Sequence, residues 1–231
     1  MDAIQTKFPK TEVVAALQCA GNRRDGQAKI KPVNGVIWAT GTISNSRWVG
    51  HDTTCDWQNW HVEFEAYGLA SDDAHYGSSI PLAWVLNPRS DILLAYEMNS
   101  CPLPRDHGYP LRVIVPGVIG ARWVKWVHQI RIQPHESNNY YQQRDYKILP
   151  PMADKHNCQE YWSKFPAIHE FNVQSVTTSP QEGQPVMANS WCQVQGYAVA
   201  GGGRMIDRVE VSVDGGTSWQ LAELFGIPGN S

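Results

Sequence analysis

The chain has 231 residues, 42% hydrophobic and 18% charged, with a formal net charge of −3. That composition suits a globular protein with a sizeable core in one or two domains, and slight acidity argues against nucleic-acid binding. No apolar run approaches the roughly 18 residues of a membrane-spanning helix, Met1-Asp2-Ala3-Ile4 opens no secretory leader, and five scattered cysteines give no disulfide framework.

Phe8-Pro9-Lys10-Thr11 reads as a turn into a strand, Val13-Val14-Ala15-Ala16-Leu17, whose continuous apolar text marks it as buried. Asp25 to Asn34 is polar and loop-like, Val36-Ile37-Trp38 resumes apolar structure, and Thr40 to Val49 is irregular, with turn residues inside it. His51 to Asn59 gives no clear element. His61-Val62-Glu63-Phe64-Glu65 alternates with a period of two and predicts a strand. Ser79 to Leu86 predicts a short helix, with Pro81 in its first turn and Pro88 beyond its end.

Buried strands follow at Ile92 to Tyr96 and Leu111 to Val115, joined by a proline-stiffened loop from Asn99 to Pro110 suited to functional side chains. Val124, Trp126, His128, Ile130 and Ile132 alternate as a further strand. From Asn138 to Lys164 the text turns polar and proline-containing, as a linker does. Beyond Phe171, short alternating strands at Asn172 to Val176, Trp191 to Tyr197 and Arg208 to Val213 lead to the Asp214-Gly215-Gly216 hairpin signal. These suggest a β-sandwich of immunoglobulin type. The ten tryptophans fit an aromatic-rich β core.

One stretch carries chemistry on its face. Leu17-Gln18-Cys19-Ala20-Gly21-Asn22-Arg23-Arg24 sets a cysteine at a strand end with two guanidinium groups a few residues on. That positive field favours the thiolate, the form that ligates soft metals; a buried cysteine beside two surface arginines is the plain alternative. His51, Cys55 and His61 lack a fourth ligand and fit no usual zinc spacing.

The octapeptide resembles the molybdenum-ligand loop of the sulfite oxidase family. The resemblance continues through Tyr76 to Leu82, Leu93 to Asn99, Pro102 to Gly117 and Ile119 to Trp126. In the second half Gly196 to Arg204 and Val213 to Gly216 are similar to the family's dimerisation domain. What this implies is an α+β chain: a mixed molybdopterin-binding domain over residues 1–150, a linker over 151–170, and a partial immunoglobulin-like dimerisation domain over 171–231.

The resemblance further implies a molybdenum cofactor (molybdopterin) whose metal takes two dithiolene sulfurs and Cys19, and oxidation of sulfite to sulfate. Arg24, Trp38 and Tyr76 match substrate-pocket residues, a planar guanidinium being suited to a small oxyanion. His107, Arg112 and Lys125, with the backbone at Trp123 and Val124, match positions that hold the pterin and its phosphate. By family analogy the electron acceptor is cytochrome c or oxygen, the full-length protein is a homodimer, and the compartment is the mitochondrial intermembrane space or the peroxisome.

The sequence also departs from the family pattern. Gly68 stands where an aspartate usually meets the pterin, with Asp72 and Asp73 out of register, and His51 to Trp57 replaces helix-forming text. The family carries further segments before Met1 and after Ser231, including two pocket arginines, so the expectation is a chain truncated at both ends, aggregation-prone and weakly active. Two alternatives stay open. Glu136 to Tyr141 leans toward the related nitrate reductase molybdenum domain, and a truncated product without catalytic activity is the other.

Overall fold

The computed structural model describes residues 6, 10–51, 60–68, 70 and 75–226. They divide into two units, the first ending at Phe171 and the second beginning at Asn172.

In the first unit the apolar stretch before Cys19 forms β1 (Thr11–Gln18), paired antiparallel to β2 (Ile43–His51) from Thr11 opposite Gly50 to Gln18 opposite Ile43. β2 is the strand that the text at Thr40 to Val49 conceals. Ser44, Asn45 and Arg47 are exposed while Trp48 and Val49 are buried, so no regular alternation announces it. Pairing on both sides makes it a strand: β2 also bonds β5 (Leu93–Met98), a case of tertiary context overriding local preference. β5 in turn pairs with β6 (Cys101–Pro102) and β7 (Arg112–Ile114).

A second sheet has β3 (His61–Ala66) at its centre, flanked by β4 (Gly77–Pro81) and β8 (Val127–Gln133). The helix expected over Ser79 to Leu86 is therefore shorter. Ser79 and Ile80 are strand, and the helix runs only over Leu82–Leu86, with Pro81 at its N-cap. Proline fits there because it has no N–H to leave unsatisfied. Val62, Phe64, Ile80, Leu93, Val113 and Ile114 belong to one shared core. Each such side chain contributes about 1.5–3 kcal/mol by leaving water.

The polar text from Asn138 to Lys164 does not hang free of this unit. It begins with a short helix (Tyr140–Gln143) capped by the Asn139 side chain. Lys147 Nζ donates to the carbonyls of Trp162 and Phe165 at 2.6 and 2.8 Å, and isolated bridges pair Lys147 with Ala167 and Val118 with Glu170. Residues 151–170, expected as a linker, are thus built into the first unit. Half-buried carbonyls there need donors, and a lysine supplies them.

The second unit contains two antiparallel pairs, β9 (Gln174–Ser179) with β10 (Gln195–Val199) and β11 (Glu210–Val211) with β12 (Gln220–Leu221). The turn between β11 and β12 is closed by Asp214, whose carboxylate accepts from the Thr217 and Ser218 amides. The architecture as a whole is α+β.

Candidate functional site

β1 delivers Cys19 to a tight turn. Cys19 N donates to Thr42 O at 2.9 Å, and Cys19 O accepts from Asn22 N at 3.0 Å. Asn22 is buried and its Oδ1 accepts from both the amide and the hydroxyl of Thr42, at 3.1 and 2.8 Å. Arg23 takes a left-handed φ of 64° and a five-residue helix (Arg24–Ala28) follows. Cys19 Sγ accepts a 3.4 Å hydrogen bond from Gly21 N–H.

The turn separates the two arginines. Arg23 is exposed, whereas Arg24 is half-buried and folds back so that Nη1 donates to Val36 O at 2.7 Å. A Cβ at Gly21 would lie 2.9 Å from Arg24 Cζ and 3.0 Å from Trp38 Cδ1, so both side chains border the same backbone beside Cys19. Trp38 remains 43% exposed, a wall residue rather than a core one.

Tyr76 is tied to the loop at Ala121. Its hydroxyl donates to Ala121 O at 2.6 Å, its ring leans on Tyr141 at 4.8 Å, and burial raises its pKa. The phenol that shares the field of Cys19 and Arg24 is Tyr146. Burial and the negative charge of a Cys19 thiolate push its pKa up, while Arg122 and Arg24 pull it down. Its φ is 52°, a strained conformation for a bulky residue, and such strain concentrates at working sites. Sequence reading missed Tyr146 because it sits in Arg144-Asp145-Tyr146-Lys147, a charged run within text that looks like linker.

The second group forms around Arg112. Its guanidinium is buried, donates from Nη1 to His107 O at 3.0 Å and from Nη2 to Trp123 O at 3.3 Å, and lies 4.9 Å above the Trp48 ring. Nε is buried without a hydrogen-bond partner among the described residues. Burial brings its pKa down to about 10. Lys125 is depressed as well, by burial and then by the charge of Arg112, against the pull of Asp106. The His107 side chain is exposed on a 3-10 turn. Trp123 and Val124 are buried, and their carbonyls already serve Arg112 and Val113.

One loop ties the two groups together. A Cβ at Gly120 would lie 3.1 Å from Gln18 O, a tight contact, so this loop packs closely against the end of β1. Two residues on, Arg122 is fully buried, and Trp123 meets Trp48 edge-on at 5.9 Å. The donor set fits a cofactor with a soft metal at one end and an anion at the other. Cys19 offers a sulfur at the strand end, Arg112 a buried guanidinium with an unsatisfied N–H, and Lys125 a half-buried ammonium.

Of the remaining sequence candidates, Gly68 is exposed with a φ of 113°, and Asp72 and Asp73 lie outside the described residues. Cys55 does too, while His61 contacts the Ser79 hydroxyl at 3.4 Å. No cluster of three His, Cys, Asp or Glu that could hold a metal occurs among the described residues. No helix there is long and apolar enough to cross a membrane.

Comparison with known proteins places molybdopterin-binding oxidoreductases among the chain's matches. The oxidoreductase molybdopterin binding domain family matches residues 1–141, and the Mo-co oxidoreductase dimerisation domain family matches residues 165–229. Mitochondrial sulfite oxidase of Mus musculus is 47% identical over 95% of this chain and 41% of its own length. The inducible nitrate reductase [NADH] 2 of Glycine max is 39% identical over 97% of this chain and 27% of its own. Among solved structures, the sulfane dehydrogenase SoxCD of Paracoccus pantotrophus is similar, with a TM-score of 0.74 and 25% identity over 98% of this chain and 55% of that one. The chain therefore spans well under two thirds of the length of the curated relatives it matches.

Proposed function

This chain belongs to the sulfite oxidase family of molybdopterin-binding oxidoreductases, and from that premise we propose that it takes part in molybdenum-dependent oxidation of sulfite to sulfate. The observation that carries the reading is the convergence of Cys19, Arg24 and Trp38 where β1 ends, with Tyr146 in the electrostatic field of the first two.

In this reading the Cys19 thiolate is the protein's metal ligand, and the Arg112 and Lys125 cations hold the cofactor phosphate beside the exposed His107 ring. When bound, the cofactor supplies a two-electron acceptor that passes an oxygen atom to the sulfur lone pair. The residues do the rest. Arg24 holds the small oxyanion through its guanidinium fork, Trp38 limits the entry of water, and the Tyr146 hydroxyl donates a hydrogen bond toward substrate oxygen. Tyr76 supports the loop at Ala121. The dimerisation-family match at residues 165–229 supports a homodimer of the full-length protein. The names of its animal relatives support a mitochondrial compartment.

Nitrate reduction is the competing reaction, suggested by the soybean relative. The test is spectroscopic. Cofactor-loaded chain is mixed with sulfite, or first reduced with dithionite and then mixed with nitrate, while the molybdenum signal is followed. Reduction by sulfite is expected; reoxidation by nitrate with no response to sulfite overturns the proposal. In parallel, X-ray absorption of Cys19→Ser is expected to show one metal–sulfur contact fewer, and an unchanged sulfur shell removes Cys19 as ligand.

A further inference from the structure

Arg24 is held by more than one hydrogen bond. Its guanidinium lies between two glycines that approach it from opposite stretches of chain. A Cβ on Gly21 would stand 2.9 Å from both Cζ and Nη2, and a Cβ on Gly35 would stand 2.5 Å from Nη1 and 3.2 Å from Cζ. Both distances are below what real side chains tolerate, so any other residue at either position must push the guanidinium aside. The stretch that carries Gly35 also supplies Val36 O, the acceptor of Arg24 Nη1.

Two further bonds fix that stretch against the Cys19 turn. Arg23 N donates to Ala39 O at 3.1 Å and Asp25 N donates to Trp38 O at 3.0 Å. At its start, Lys31 Nζ donates to the carbonyl of Pro151. The loop over residues 31–39 is therefore pinned at both ends, although most of it is exposed. A loop so fastened and so exposed has its place in the fold without contributing much core. What it does contribute is one wall of the Arg24 slot.

We propose that Gly21 and Gly35 form a slot that sets the Arg24 guanidinium, making Gly35 a positioning residue for oxyanion binding. The proposal rests on the reading of Arg24 as the anion-holding residue. Gly35 itself touches no substrate; it acts by leaving room for Nη1. A charged hydrogen bond depends on alignment, so a guanidinium displaced by about a methyl group loses its grip on a small anion while the redox chemistry is left alone.

The structure supplies a control. Gly35 has a φ of 95° and Gly41 a φ of 102°, but a Cβ at Gly41 would meet nothing within 4 Å. Gly35→Ala and Gly41→Ala therefore carry similar backbone strain, and only the first reaches Arg24. With cofactor-loaded protein, Gly35→Ala is expected to raise the KM for sulfite about tenfold, the loss of one charge-assisted hydrogen bond, with kcat near the parent's. Calorimetric titration with inorganic sulfate should show a matching rise in Kd. Gly41→Ala should leave both at parental values.

Gly21→Ala, which carries no positive φ, enters the slot from the other side and should reproduce the effect if Gly35→Ala proves too unstable to assay. In an Arg24→Gln background Gly35→Ala should not weaken sulfate binding further, because the only group it displaces is gone. Equal effects of Gly35→Ala and Gly41→Ala, or full additivity with Arg24→Gln, overturn the slot. An Arg24→Gln variant that binds sulfate like the parent removes the pocket reading itself, a result distinct from additivity.

Discussion

Arg122 Nη1 lies 2.7 Å from Gln142 Oε1 inside the first unit, and Gln142 Nε2 passes the contact on to Glu136 Oε1 at 2.6 Å. A fully buried guanidinium is thereby linked to a carboxylate through an amide rather than paired with it directly. Arg122 also donates to Ser78 Oγ, Tyr141 O and Ile168 O at 3.1, 3.1 and 3.0 Å. Its Cζ sits 6.0 Å from the Tyr146 ring, and Ile168 N donates to Tyr146 O at 2.8 Å. The arginine and the strained tyrosine are thus anchored to the same residue.

Arg122→Met should consequently be among the most destabilising single changes in the chain. It strands the carbonyls of Tyr141 and Ile168, each costing about 1–3 kcal/mol when buried and unpaired, and leaves Gln142 Oε1 with only its Ser78 and Ser79 donors. Urea titration followed by tryptophan fluorescence should show a loss of at least about 3 kcal/mol for the first unit. A loss within about 0.5 kcal/mol, ordinary for a surface change, would refute the network's role.

Acid sensitivity should trace to Glu136. Burial would raise its pKa, but the hydrogen bonds from His169 and Gln142 and the charges of His169 and Arg122 outweigh it, taking the value from 4.5 to about 2. With the folded value below the unfolded one, its stabilisation is whole above pH 4.5 and is lost as pH falls toward 2. Thermal melts between those limits should fall less steeply for Glu136→Gln than for the parent. Parallel curves would assign the acid limb to other carboxylates.

The two tyrosines should separate by what they lose. Tyr76→Phe removes one hydrogen bond to Ala121 O and should cost about 1 kcal/mol of stability with turnover retained. Tyr146→Phe should keep cofactor content and stability while lowering sulfite turnover about a hundredfold, the range for a positioned proton-handling group. Loss of turnover in Tyr76→Phe, with Tyr146→Phe active, would reverse their roles.

Arg112→Gln and Lys125→Met should each reduce molybdenum retained per chain after gel filtration. An N–H–rich buried cation without its own carboxylate among the described residues is costly unless an anion arrives. In cofactor-free protein the same Arg112→Gln change should cost less, since losing the bonds to the His107 and Trp123 carbonyls is partly offset by removing that burial cost. Equal destabilisation of loaded and cofactor-free protein would make Arg112 a purely structural residue.

The sequence alone determined β1, β3, β5 and β7 as strands and placed Cys19 at a strand end, because continuous apolar runs and period-two alternation report burial directly. It also identified Arg24, Trp38, Arg112 and Lys125 as candidates, through the spacing of a recognisable set of blocks. Only the tertiary structure decided the rest. β2 exists because two neighbours pair with a polar stretch, and no local pattern encodes a partner's position. Asn138 to Lys164 reads as linker because its text is polar and proline-containing, yet Lys147, Glu136 and Gln142 fasten it through polar contacts that composition cannot distinguish from solvent exposure. Tyr146 enters the electrostatic field of Cys19 by that route; which groups share a field depends on folded distance, and sequence spacing carries no information about it.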